Sequence, residues 1–182
     1  MRRHPPGCAL LAAVLGITLV ACNGTPGSGD RDGDGVTLAI DGEAGAWQVQ
    51  PGDAVFRRHG VATGLALRAK DGGRMVELSA TFLGEPANPV FVALKVSYDD
   101  GAGQLFERVP QLATDDQRDE SVAWERIAID HDKGVGFARV ALDIPVCVDH
   151  YTSPTESETR CHQLAGRFDA ALVHDSTLRI MQ

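Results

Sequence analysis

Two alternating runs flank a pair of cysteines, and their numbering constrains the fold more than any other feature of the chain. From Val135 to Val148, one strand face carries Ala138, Val140, Leu142, Ile144, Val146 and Val148. The other carries Phe137, Arg139, Ala141, Asp143, Pro145 and Cys147, because successive side chains of a strand point to opposite faces. From His162 to Val173, one face has His162, Leu164, Gly166, Phe168, Ala170 and Leu172. The opposite face has Cys161, Gln163, Ala165, Arg167, Asp169 and Ala171. If Cys147 and Cys161 oppose each other in an antiparallel pair, every pair of partners shares their number sum, 308. Ile144 then meets Leu164, Leu142 meets Gly166 and Val140 meets Phe168. On the polar face Arg139 meets Asp169, and Arg167 lies diagonal to Asp143. Such matched cross-strand pairs stabilise a sheet, and a one-residue slip would turn one apolar row outward. The stretch between, Val148–Arg160, is polar without strand periodicity and reads as a loop.

The rest of the chain after Val36 has the same character. Strand-like runs are expected at Val36–Ile40, Ala46–Val49, Ala54–Arg57, Val61–Lys70, Arg74–Leu83, Pro89–Tyr98, Gln104–Val109 and Ser121–Asp130, with a last one at Thr177–Met181. Asp71-Gly72-Gly73 is a tight hairpin signal, and Asp99–Gly103 and His131–Gly134 are further turns. Ala113–Glu120 reads as a polar loop. In Arg74–Leu83, Val76, Leu78, Ala80 and Phe82 share the apolar face; in Phe91–Tyr98, Val92, Leu94, Val96 and Tyr98 do. One apolar and one polar face marks antiparallel sheets with a single buried side. The expected fold is therefore all-β, a single antiparallel β-sandwich or barrel-like domain over residues 36–182.

Residues 1–21 differ. Arg2 and Arg3 precede an apolar run, Cys8–Ala21, that is shorter than the roughly 20 residues of a spanning helix. That is the layout of an export signal. Its end, Leu19-Val20-Ala21-Cys22, resembles the lipobox of bacterial lipoprotein precursors: aliphatic, small or aliphatic, small, then Cys. The resemblance implies cleavage before Cys22, a diacylglycerol thioether on its sulfur and an acylated new N-terminus. Asn23 rather than Asp after the Cys favours the outer membrane over the inner, in the sorting rule known for enteric bacteria. Two or more acyl chains anchor a protein stably where one does not. Residues 22–35 would then be the lipidated N-terminus and a flexible Gly/Asp-rich linker.

Charge narrows the partners. The chain has 17 Lys and Arg against 25 Asp and Glu, and losing Arg2 and Arg3 with the leader takes its formal charge from −8 to −10. Nucleic acid is not an expected partner, since phosphate binding rests on Lys and Arg. Attachment to the bilayer falls to the acyl chains on Cys22 rather than to basic residues. With Cys8 in the leader and Cys22 acylated, Cys147 and Cys161 remain as a pair in an oxidising compartment, and a disulfide is expected. A metal site from Cys147, His150, Cys161 and His162 competes, but adjacent Cys161 and His162 point to opposite strand faces and do not easily share a tetrahedral ion.

Chemistry is less legible. Asp30, Asp32 and Asp34 match the opening of a calcium loop, with Asp41 at the twelfth position in place of the usual Glu. No helical pattern precedes them, so a solvated linker is expected, calcium is the lesser reading and no cofactor is assigned. No catalytic motif occurs. His59, His131, His150, His162 and His174 are scattered, and acids beside three of them in sequence prove nothing, since catalytic partners meet in space. Asp99-Asp100 and Asp115-Asp116 read as solvated turn charges, and Trp47 and Trp124 as core residues. The expected function is a membrane-anchored envelope lipoprotein with a non-enzymatic binding or structural domain, its partner an envelope protein or a glycan. An envelope hydrolase built from scattered His and Asp is the alternative.

Overall fold

The computed structural model describes residues 35–110, 120–153 and 156–179. Cys22, Asp30, Asp32, Asp34 and Asp115-Asp116 lie outside them. The described residues form ten strands and no helix: β1 (Gly35–Ile40), β2 (Glu43–Ala44), β3 (Ala54–His59), β4 (Ala62–Asp71), β5 (Arg74–Leu83), β6 (Val90–Asp99), β7 (Leu105–Arg108), β8 (Val122–Asp130), β9 (Val135–Ser153) and β10 (Glu156–His174).

The chain is all-β, and its strands belong to one sheet. Hydrogen-bonded neighbours run β2-β1-β10-β3-β4-β5-β6-β7-β9-β8, and β9 also pairs with β10, so the order returns on itself. The ring is uneven. The β9–β10 hairpin is paired along almost its whole length, from Val135 opposite Val173 to Ser153 opposite Glu156. The β3–β4–β5–β6–β7 meander joins this hairpin at two narrow seams. At one, Val55 and Phe56 of β3 pair with Val173 and His174 of β10; at the other, Glu107 of β7 pairs with Cys147 of β9.

The first seam corrects the all-antiparallel expectation, because β3 and β10 are parallel. Strands far apart in sequence are free of the direction a short turn imposes. A second correction concerns Val148–Arg160. It is not a loop: the ladder continues past the cysteines, with Val148, Asp149 and His150 opposite Arg160, Thr159 and Glu158. Backbone groups pair regardless of side-chain polarity, so a ladder can run on through a stretch whose sequence shows no apolar period. Ala46–Val49 yields only one bridge, Gln48 to Lys70. Instead Asp41 and Gly42, both at positive φ (53° and 82°), fold Glu43-Ala44 back onto β1 as the short β2, as Asp-Gly turns do. Over the described part of Thr177–Met181 no strand forms. There Asp175 Oδ1 accepts from both the backbone N–H and the hydroxyl of Thr177, each at 2.7 Å.

The hairpin register is the one expected from the cysteines. Ile144 faces Leu164, Leu142 faces Gly166, Val140 faces Phe168, and Arg139 faces and ion-pairs with Asp169. Cys147 and Cys161 are joined by a disulfide, their Cα atoms 4.1 Å apart. Arg167 and Asp143 do not pair: Arg167 approaches Glu125 of β8 at 4.0 Å, and Asp143 accepts from Gln163 Nε2 at 2.6 Å. Gly166 has a structural reason. A Cβ there would run into Thr37 O and lie 2.8 Å from Leu38 Cα, so β1 can cross β10 only over a glycine.

The inward faces form one core that includes Phe56, Leu65, Leu78, Val96, Phe106, Ile144, Leu164 and Phe168, each at most 1% exposed. The β6 alternation is broken, against expectation. Phe82 pairs with Phe91 and Thr81 with Ala93, which leaves Val92 as an extra residue, a β-bulge. Past the bulge the faces exchange: Phe91 packs against the core and Val92 is 48% exposed. A similar bulge at Glu125 lets Trp124 stack on Phe91 at 4.8 Å.

Candidate functional site

Alternation that sends Val76, Leu78 and Ala80 into the core sends Glu77 and Ser79 outward. Their cross-strand neighbours on that face are Arg68 of β4 and Lys95 of β6. Arg68 Nε donates to Glu77 Oε2 at 2.6 Å, and Ser79 Oγ donates to Glu77 Oε1 at 2.8 Å. Lys95 ion-pairs with Glu107 of β7. Glu77 is partly buried. Desolvation pushes its pKa up, but the hydrogen bonds from Arg68 and Ser79 and the charges of Arg68 and Lys95 outweigh it, holding the carboxyl below its ordinary value.

After β10 the chain runs back over this face. Asp175 N–H donates to Phe56 O at 2.9 Å, and Arg57 donates to Leu178 O at 3.0 Å. Between this C-terminal segment and the sheet lies a groove of about 460 Å³, lined by Arg68, Glu77, Ser79 and Lys95 on one side and Asp175, Thr177 and Arg179 on the other. Arg179 makes no ion pair among the described residues and is exposed.

The singled-out histidines fall in different places. His162 Nδ1 is 2.6 Å from Asp41 Oδ2, and its ring meets Phe106 and Tyr98 edge-on. His131 and His174 instead flank Phe56, at 5.6 and 5.7 Å between ring centroids. His59 lies at the exposed end of β3, and His150 pairs with Glu158 in the β9–β10 ladder. Burial first, and Arg58 second, push the His131 pKa below its ordinary value, against the pull of Glu85, Asp132 and Asp130.

Asp41, the calcium candidate within the described residues, is already engaged. Besides His162, its Oδ1 accepts the Gln163 N–H at 2.8 Å. The His162 hydrogen bond leads in holding its pKa down. Asp99 and Asp100 cap their turn: Asp99 Oδ1 accepts from Gly101 N, and Asp100 Oδ1 from Ala102 N and Gln104 N. Trp47 is 5% exposed in the core, with Arg74 stacked over its ring at 5.2 Å.

Arg68, Glu77, Ser79 and Lys95 have one signal in the sequence. The Asp71-Gly72-Gly73 turn implies a hairpin register that pairs Asp71 with Arg74 and, three steps on, Arg68 with Glu77. The arrival of Asp175–Arg179 over the same face has no sequence signal, because it depends on where β10 ends in space. Comparison with family models, with curated proteins and with solved structures finds no match.

Proposed function

We propose that the chain is an acylated lipoprotein of the bacterial envelope, outer membrane favoured, whose β domain is a non-enzymatic binding module. The observation that carries the anchoring is the sorting of the cysteines. Cys147 and Cys161 are spent on each other in the sheet. Once Cys8 leaves with the leader, Cys22 is the remaining thiol of the mature chain, directly after the apolar run. The described strands begin at Gly35, a linker's length beyond it.

The binding reading rests on the filled interior. Phenylalanines and aliphatic residues occupy the inside of the sheet, so a ligand is met on the outer face. In this reading the closed strand order is a barrel-like scaffold rather than two stacked sheets, and an envelope protein or a glycan is the partner. The hydrolase alternative carries less support, because His162 and the His131–His174 pair gather about different phenylalanines.

Expression of wild type and Cys22→Ser in a bacterium fed a clickable palmitate analogue tests the anchor. Label on the wild-type chain alone, with mass spectrometry placing the acyl groups on residue 22, is the expected result. An unlabelled wild-type chain would overturn it.

A further inference from the structure

We infer that the groove under the C-terminal segment is a binding site for a small ligand that carries one carboxylate on a hydroxyl- or amide-bearing frame. The inference rests on the binding-module reading and specifies its ligand.

The first argument is charge. The chain as a whole is at −8, yet the groove is lined by Arg68, Lys95 and Arg179 against Glu77 and Asp175. Glu77 holds Arg68 and Glu107 holds Lys95, which leaves Arg179 as the lining cation without an ion pair among the described residues. Guanidinium groups match a carboxylate in a planar, two-bond fork. Arg68 commits its Nε to Glu77, and that bond, pinned in turn by Ser79, fixes the guanidinium plane. The terminal nitrogens of Arg68 and the whole head of Arg179 are left for a ligand among the described residues.

The second argument is the state of the two hydroxyls. Ser79 Oγ donates its proton to Glu77, and Thr177 Oγ1 donates its own to Asp175. A hydroxyl has one proton to give, so each can only accept from a ligand. The complement is therefore a molecule with an acid group at one end and O–H or N–H donors beside it. Bare acetate, which has no donor at neutral pH, satisfies only half of the site. A groove of about 460 Å³ suits a ligand of dipeptide or sugar-acid size.

The test is calorimetric titration of the full chain in detergent with two matched pairs, glucuronate against glucose and Ala-Ala against its C-terminal amide, and with acetate. The acid of at least one pair is expected to bind about tenfold or more tightly than its neutral partner and than acetate. Arg179→Ala, an exposed position, should weaken the acid by about tenfold without moving the melting temperature. Equal binding of acid and neutral partner, or binding indifferent to Arg179→Ala, overturns the carboxylate assignment. Acetate binding as tightly as the acids overturns the role given to Ser79 and Thr177. If no acid binds up to about 10 mM, the groove is not this site. Recovery of an envelope protein or glycan by cross-linking the anchored protein would then keep the binding-module reading while this one fails.

Discussion

The β9–β10 hairpin and the β3–β7 meander are both built from alternating strands, yet they hold their places by different means. The hairpin is zipped from Val135–Val173 outward beyond a disulfide, and it buries Val140, Ile144, Leu164 and Phe168. The meander is well paired internally but joins the hairpin through two residue pairs at one seam and one at the other. What binds the two together is the shared core rather than the ladder. The difference teaches that hydrogen-bond continuity and packing are separate contributions: the hairpin has both, and the seams rely on packing. Opening a seam breaks only a few backbone hydrogen bonds, so it is the place for local fluctuation.

The sharpest way to break the comparison is at the hairpin's own crossing point. Gly166→Ala puts a methyl against Thr37 O, at a φ of 141° that L side chains rarely adopt. A loss of about 4 kcal/mol or more is expected from denaturant unfolding, in the range that marks strain and overpacking. A loss below about 1 kcal/mol would mean that β1 does not cross β10 this closely.

Next comes the covalent contribution. Replacing Cys147 and Cys161 together by Ser should cost about 3 kcal/mol, the chain-entropy value for a loop of this size. The fold should persist, because the paired register extends on both sides of the disulfide. Loss of all β structure in that variant at neutral pH would show instead that the disulfide holds the register.

The seams can be weighed directly by native-state hydrogen exchange. The Asp175 amide donates to Phe56 O just beyond the two-pair seam, whereas Val140 and Phe168 face each other in the hairpin interior. Asp175 should exchange about 100-fold faster or more than the hairpin amides, through local rather than global opening. Equal protection at both places would make the seam as firm as the hairpin.

The smallest effect is electrostatic. Burial and Arg58 hold His131 neutral below its ordinary pKa of 6.5, while Glu85, Asp130 and Asp132 oppose them. The folded protein therefore binds fewer protons than the unfolded chain. The stability contributed by this depressed pKa is fully present above 6.5 and declines as pH falls below it towards the folded value. His131→Gln should flatten that part of the stability-against-pH curve. An unchanged curve between neutral and mildly acid pH would assign the slope to other groups.

Legibility followed locality. The hairpin register could be read from two cysteines and two apolar rows, since a period of two leaves one alignment that buries both. Arg68 opposite Glu77 was within reach of the same reasoning, through the Asp71-Gly72-Gly73 turn. The bulge at Val92 was not. Val90, Phe91 and Val92 are all apolar, so pattern alone does not say which one leaves the core. The parallel seam and the groove were not legible either, because each joins residues remote in sequence.

By itself, the sequence determined an all-β domain, most of its strands, the pairing of Cys147 with Cys161 and the face each hairpin residue occupies. These are consequences of side-chain period and cross-strand matching, which act between neighbours on one ladder. Only the tertiary structure decided that β3 runs parallel to β10, that β1 crosses over Gly166, and that Asp175–Arg179 closes a charged groove over Arg68, Ser79 and Lys95. Each of these depends on where a strand ends in space after the shared core has packed, and a pattern of period two carries no record of that.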